Sequence, residues 1–180
     1  MIKRHARRDL LGLAAAAATG LIAAPAIALP RVPTHRALAF HNLHTGEALD
    51  IVYWAEGDYL HDATRRIEYL LRDFRTGATH SIDPRLLDLL TVLRERLRTT
   101  APYQVISGYR SPETNAKLHR IDEGVSTNSL HLQGQAIDIR VPGRASSAVR
   151  HAALSLKAGG VGYYPRADFV HVDVGRVRWW

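Results

Sequence analysis

The chain has 180 residues, 46% hydrophobic and 23% charged, which fits one globular domain with a real core and excludes a disordered polymer. Its formal charge is +7, unevenly placed along the chain, and no basic run interleaved with aromatics marks a nucleic-acid binder. There is no cysteine, so no disulfide braces the fold, and any metal site must use histidines and carboxylates.

The first residues read as an export signal rather than as part of the fold. Lys3, Arg4, Arg7 and Arg8 form a basic start, Leu10 to Ala24 is a nearly unbroken apolar run, and Ala26-Ile27-Ala28 is a small-residue cleavage site. The run is short of the roughly 20 residues a transmembrane helix needs. Arg7-Arg8 followed by Asp9-Leu10-Leu11 resembles a twin-arginine signal, the bacterial address for cargo exported already folded; a general secretory signal with two chance arginines is the plainer reading. Cleavage after Ala28 removes four basic residues and Asp9, leaving the mature chain at +4. Residues 29–35, with Pro30 and Pro33, read as a linker, and 36–180 as the folded domain.

Two β-prone runs, Ala37–Phe40 and Leu49–Trp54, flank His44-Thr45-Gly46-Glu47 and predict a hairpin. Asp62 is a candidate cap for a helix to about Phe74, with Ile67, Leu70, Leu71 and Phe74 at helical spacing. Asp83-Pro84 opens a second helix, striped by Leu86, Leu89, Leu90, Leu93 and Leu97, which are core rather than function. Tyr103–Ser107 predicts a strand, Ser111-Pro112 a short helix to about His119, and residues 121–135 a long loop. Ala136–Val141 is a strand, Ala145–Leu156 a helix, and Phe169–Val174 the last strand, after Gly159-Gly160 and Val161–Tyr164. This order predicts a single α+β domain with a mostly antiparallel sheet and flanking helices.

The candidate chemistry lies in SLHLQGQAID, Ser129–Asp138. A histidine and an aspartate seven apart are a weak signal alone. Here His131 falls in the loop and Asp138 in the strand that follows, with Gly134 allowing the chain to turn back between them. Asp138 alternates with Ile137 and Ile139, so it faces away from them, and a carboxylate facing a buried space needs a partner. His171, between Val170 and Val172 on the last strand, is the third candidate. Three protein ligands with a fourth position left open define a catalytic zinc site.

SLHLQGQAID resembles the S-x-H-x-x-G-x-A-x-D signature of the D-alanyl-D-alanine metallopeptidase family. Ser107–Ser111, SGYRS, is similar to the family segment that precedes it, and Gly159–Pro165 and Phe169–Gly175 resemble its closing strands. The paired arginines, the His44–Glu47 turn and the final Trp180 are similar to the YcbK-like murein endopeptidase branch. The resemblance spans nearly the whole mature chain. It implies a hedgehog/D-Ala-D-Ala peptidase-like fold and zinc held by His131, Asp138 and His171. It implies that Arg110 contacts a substrate carbonyl or carboxylate, and that the substrate is peptidoglycan, its stem peptides or cross-links, in the periplasm. For the general base it offers two positions. Asp168 lies three before the last histidine, and Asp173 lies two after it; strand alternation favours Asp173, which shares a face with His171.

Plainer roles stand beside these. Asp173 could hold His171 in orientation, and Arg110 could be a structural ion-pair partner. His41 and His44 read as surface residues, and His119 and Glu123 as a solvated helix end. One of Tyr163 and Tyr164 should be core, the other free to meet substrate. A wall-binding module with a structural zinc is the rival to a peptidase, and it would require a closed fourth ligand.

Overall fold

A computed structural model describes residues 34–122 and 125–180. The expected export signal at 1–28, the linker up to residue 33 and Glu123 lie outside the described residues.

Among the described residues eight strands form one sheet. β1 (His35–Asn42) and β2 (Ala48–Ala55) make the expected hairpin, and β3 (Asp58–Tyr59) extends it at the edge. β4 (Tyr103–Ser107) joins β1 in parallel, β5 (Ala136–Arg140) follows, then β7 (Phe169–Asp173) and β6 (Gly160–Tyr164), and β8 (Arg178–Trp179) closes the far edge parallel to β6. The sheet order is β3-β2-β1-β4-β5-β7-β6-β8. The other pairings are antiparallel, so the α+β architecture with a mostly antiparallel sheet is what the chain adopts.

Among the described residues four helices flank it: α1 (His61–Leu70), α2 (Pro84–Arg96), α3 (Pro112–Ile121) and α4 (Ser146–Leu156). The sequence signals for α2 and α3 work as expected. Asp83 accepts a hydrogen bond from the Arg85 amide, Ser111 accepts one from the Thr114 amide, and a proline follows each cap. Leu86, Leu90 and Leu93 of α2 are fully buried with Ile67 and Leu71 against Leu38, Phe40, Tyr53, Ile137 and Ile139 of the sheet. Burying each of these side chains stabilises the fold by about 1.5–3 kcal/mol before entropy is counted.

α1 differs from expectation at both ends. It begins at His61 with Leu60 as its cap, so Asp62 does not cap it, and it stops at Leu70 instead of running to Phe74. The reason for the early stop is Asp73. Its buried carboxylate accepts hydrogen bonds from the Ser111 amide (2.9 Å), the Ser111 hydroxyl (2.6 Å) and the Arg75 amide (3.0 Å), a set of donors that a continuing helix would not reach. The chain turns instead, and Phe74 stacks on His44 with ring centroids 3.8 Å apart.

The long loop also contains more order than its sequence suggests. Leu130–Gln133 forms a 3-10 turn capped by Ser129, so His131 sits on a short helix and not in an irregular loop. Gly134 ends it with φ +64°, and a Cβ there would meet the Ser81 carbonyl at 2.1 Å, so both conformation and space require glycine.

Candidate metal centre

Asp138 of β5 and His171 of β7 are directly opposed in the antiparallel register, which places their side chains on one face of the sheet. The 3-10 turn brings His131 onto the same point. His131 Nε2 lies 3.1 Å from His171 Nδ1 and 3.3 Å from Asp138 Oδ1, and His171 Nδ1 lies 2.9 Å from Asp138 Oδ1. All three side chains are buried, and the three candidate ligand atoms lie within 4.8 Å of one another. Residues 40 and 33 positions apart in sequence are thus brought together.

The outer atoms of both imidazoles are already engaged. His131 donates Nδ1–H to the Gly108 carbonyl at 2.7 Å. His171 donates Nε2–H to Asp173 Oδ2 at 3.1 Å. With the outer nitrogens protonated, each neutral ring presents a lone pair inward, beside a carboxylate oxygen. Three acceptors facing one another need a cation between them, and two imidazoles with one carboxylate suit a divalent transition metal. The donor set therefore fits a metal.

The electrostatics of the protein alone point the same way. Burial raises the pKa of Asp138, but the charge and hydrogen bonds of His131 and His171 outweigh it and hold this carboxyl well below the usual range. Burial disfavours a charged His171, yet the hydrogen bonds to Asp138 and Asp173 prevail and raise it to about 9. His131 is pushed down by burial. Without a metal, a proton on His171 supplies the positive charge that the acceptors demand.

Asp173 shares the strand face of His171, as alternation requires, but it lies behind the ring, at Nε2, whereas the cluster forms at Nδ1. It is 0% exposed. Its oxygens also accept from the Gly160 amide (2.9 Å), the Gly175 amide (2.8 Å) and both terminal nitrogens of Arg178 (3.1 and 2.7 Å). Asp168 stands apart in the β6–β7 turn, exposed, at φ +52°, with one oxygen 3.8 Å from Arg140 Nε.

Arg110 flanks the cluster. One terminal nitrogen is 3.6 Å from Asp138 Oδ2, and the other donates to Asn115 Oδ1 at 3.3 Å. Its Nε is buried without an acceptor among the described residues. The backbone fixes this segment, since the Tyr109 amide donates to the Leu71 carbonyl and the Arg110 amide to the His131 carbonyl. His41 is half-buried and His44 exposed, both away from the cluster's hydrogen bonds. His119 is half-buried and donates Nδ1–H to the Val125 carbonyl at 2.6 Å, which ties down the loop base. Arg178 and Asn115 were not singled out from sequence. The first sits in GRVRWW, where nothing local distinguishes it from Arg176, and the second in a helix whose partners lie in other elements.

The chain is similar to known proteins over most of its length. A peptidase family described as "Peptidoglycan L,D-endopeptidase MepK" matches residues 31–180. Over 175 residues the chain is 43% identical to the peptidoglycan L,D-endopeptidase MepK of Escherichia coli K12, covering 97% of this chain and 96% of that protein. The same figures hold for the protein of that name from Shigella flexneri. A probable peptidoglycan L,D-endopeptidase MepK of Haemophilus influenzae is 40% identical over 155 residues, covering 86% of this chain and 83% of that protein.

Proposed function

The chain belongs to the peptidase family described as peptidoglycan L,D-endopeptidase MepK, and from that premise we propose that it is a zinc-dependent murein endopeptidase acting on peptidoglycan cross-links or stem peptides. The observation that carries the reading is the convergence of His131 Nε2, His171 Nδ1 and a carboxylate oxygen of Asp138, with both outer imidazole N–H groups engaged elsewhere. When bound, zinc supplies Lewis-acid activation of water and polarisation of the scissile carbonyl.

The protein's own residues divide the remaining work. His131, Asp138 and His171 hold the ion. The Gly108 carbonyl and Asp173 fix the two imidazoles in tautomer and orientation, and Arg178 in turn fixes Asp173. Arg110 offers its guanidinium, with an unpartnered Nε, to a substrate carbonyl or carboxylate beside Asp138. The water proton needs a carboxylate with a free lone pair. Asp173 has its oxygens filled and lies on the far side of His171, so the role falls to Asp168, whose side chain is 67% exposed.

A wall-binding domain with a structural zinc would want a fourth protein ligand to close the site. Among the described residues the cluster numbers three, and Asp173, the nearest further carboxylate on the strand, faces the opposite ring nitrogen. That favours the open, catalytic arrangement. Residues 1–28 are read as an export signal, with Arg7-Arg8 addressing the folded chain to the twin-arginine machinery and the periplasm; a peptidoglycan substrate supports a place outside the cytoplasm. No helix of the described residues is long and apolar enough to cross a membrane.

The deciding experiment is digestion of purified muropeptides of defined cross-link, with products read by mass spectrometry. Cleavage should stop on chelation and return with zinc. Intact muropeptides after incubation with the zinc-loaded chain would rule the peptidase out.

A further inference from the structure

One aromatic side chain beside the cluster takes no part in holding the metal. Trp180 lies on the same sheet face as the cluster, its ring centroid 5.3 Å from that of His171. It is held from several directions. Its indole N–H donates to the Tyr164 hydroxyl at 2.9 Å, its backbone amide donates to the Val161 carbonyl, and its carbonyl accepts from the Tyr163 amide. The Arg178 guanidinium stands 5.0 Å from its ring centroid, while also gripping Asp173.

The strand beneath has been emptied to admit it. Gly162 pairs with His171, and a Cβ on Gly162 would come within 2.9 Å of three indole ring atoms. Real Cβ atoms do not approach ring atoms so closely, so the indole packs against backbone that only glycine leaves free. Yet the residue remains 48% exposed. A tryptophan whose only task was to fill space would be buried further. Beyond it the aromatic surface continues to Tyr164, 37% exposed and stacked on Phe169 at 4.4 Å. A rigid, half-open aromatic face with its polar end satisfied offers large contact area at little entropic cost.

We propose that Trp180 is a substrate-binding residue, its open indole face packing against the apolar atoms that flank the scissile amide. The inference rests on the peptidase reading above. Position selects this part of the substrate: the indole is one ring contact from His171, and the atoms within that reach of a carbonyl at the cluster are those of the peptide, not of the sugars. Gly162 and Arg178 are positioning residues for it.

The test compares Trp180→Ala and Trp180→Phe in the full, zinc-loaded chain, using a cross-linked muropeptide dimer. Trp180→Ala should raise KM about tenfold with kcat changed by less than about threefold, and Trp180→Phe should recover part of the loss. Zinc content and thermal midpoint should match the parent. A second readout does not depend on turnover. In a Trp54→Phe/Trp179→Phe background, Trp180 is the sole indole, and rapid mixing with the dimer should shield it from acrylamide quenching before cleavage occurs. Unchanged KM in Trp180→Ala, or no shielding in that background while it cleaves the dimer, overturns the proposal and leaves the peptidase reading intact. If Trp180→Ala loses its fold or its zinc, the shielding result decides. A parent chain that cleaves no muropeptide sinks both.

Discussion

The two faces of the β5–β7 strand pair are equally buried and chemically opposite. One carries Ile137, Ile139, Val170 and Val172, none more than 1% exposed, against the leucines of α2. The other carries Asp138, His171 and Asp173, none more than 7% exposed. The apolar face needs nothing but exclusion of water. The polar face is tolerable only because each charged group has a partner, and its three inner ligand atoms converge where a cation would satisfy them together. Stability should therefore reside on one face and chemistry on the other, although single residues of each alternate along the same five-residue strands.

The sharpest way to break that division is to substitute adjacent residues of β5. Asp138→Ala should abolish muropeptide turnover while leaving a folded chain. Ile137→Ala should cost about 3 kcal/mol of unfolding free energy while the folded fraction retains its zinc and its activity. Circular dichroism, denaturant titration and metal analysis together check this. An Asp138→Ala chain that is unfolded, or an Ile137→Ala chain that folds normally but is inactive, would erase the distinction.

The next effect separates two carboxylates on the polar side. Asp173→Asn keeps the shape, but with its one oxygen taken by the Gly160 and Gly175 amides it turns an NH2 group toward His171 Nε2–H, so zinc affinity should fall about 10–100-fold. Asp168→Asn should keep its zinc and lose about 10²–10⁴-fold in turnover. Zinc titration and turnover at saturating zinc distinguish them. An Asp173→Asn variant with normal zinc affinity and no turnover would return the base to Asp173.

The smallest effect concerns a third buried carboxylate, satisfied without histidines. Burial pushes Asp73 upward, but hydrogen bonds from Ser111 and Thr114 and from the Ser111 and Arg75 amides prevail and hold it at about 2. A depressed folded pKa contributes stability that is present above the ordinary value of 3.8 and is lost as pH falls through about 2. The contribution is about 2 kcal/mol. The unfolding free energy of the parent should drop between pH 4 and 2 by that much more than that of Asp73→Asn. Parallel acid limbs would show that Asp73 gains nothing from its donors.

What was legible in the sequence follows from how local each signal is. The caps Asp83-Pro84 and Ser111-Pro112, the leucine stripe of α2 and the β1–β2 hairpin are set by neighbours a few residues apart, and they form as expected. The early end of α1 was hidden because the donors to Asp73 include Ser111, 38 positions away. Alternation correctly put Asp173 on the face of His171, but it could not say which ring nitrogen it would meet, since that depends on where Gly160, Gly175 and Arg178 hold the carboxylate. The roles of Arg178 and Trp180 depend on β8, two residues long and paired in parallel with β6, a pattern too short to leave a periodicity.

The proposed chemistry requires that His131, Asp138 and His171 together hold one zinc ion. Calorimetric titration of zinc into the chelator-treated chain at neutral pH tests it most directly, with His131→Ala, Asp138→Ala and His171→Ala alongside. One tight site should be present in the parent and weakened by several kcal/mol in each variant. A parent that takes up no zinc, or any one of the three folded variants binding as tightly as the parent, would contradict it.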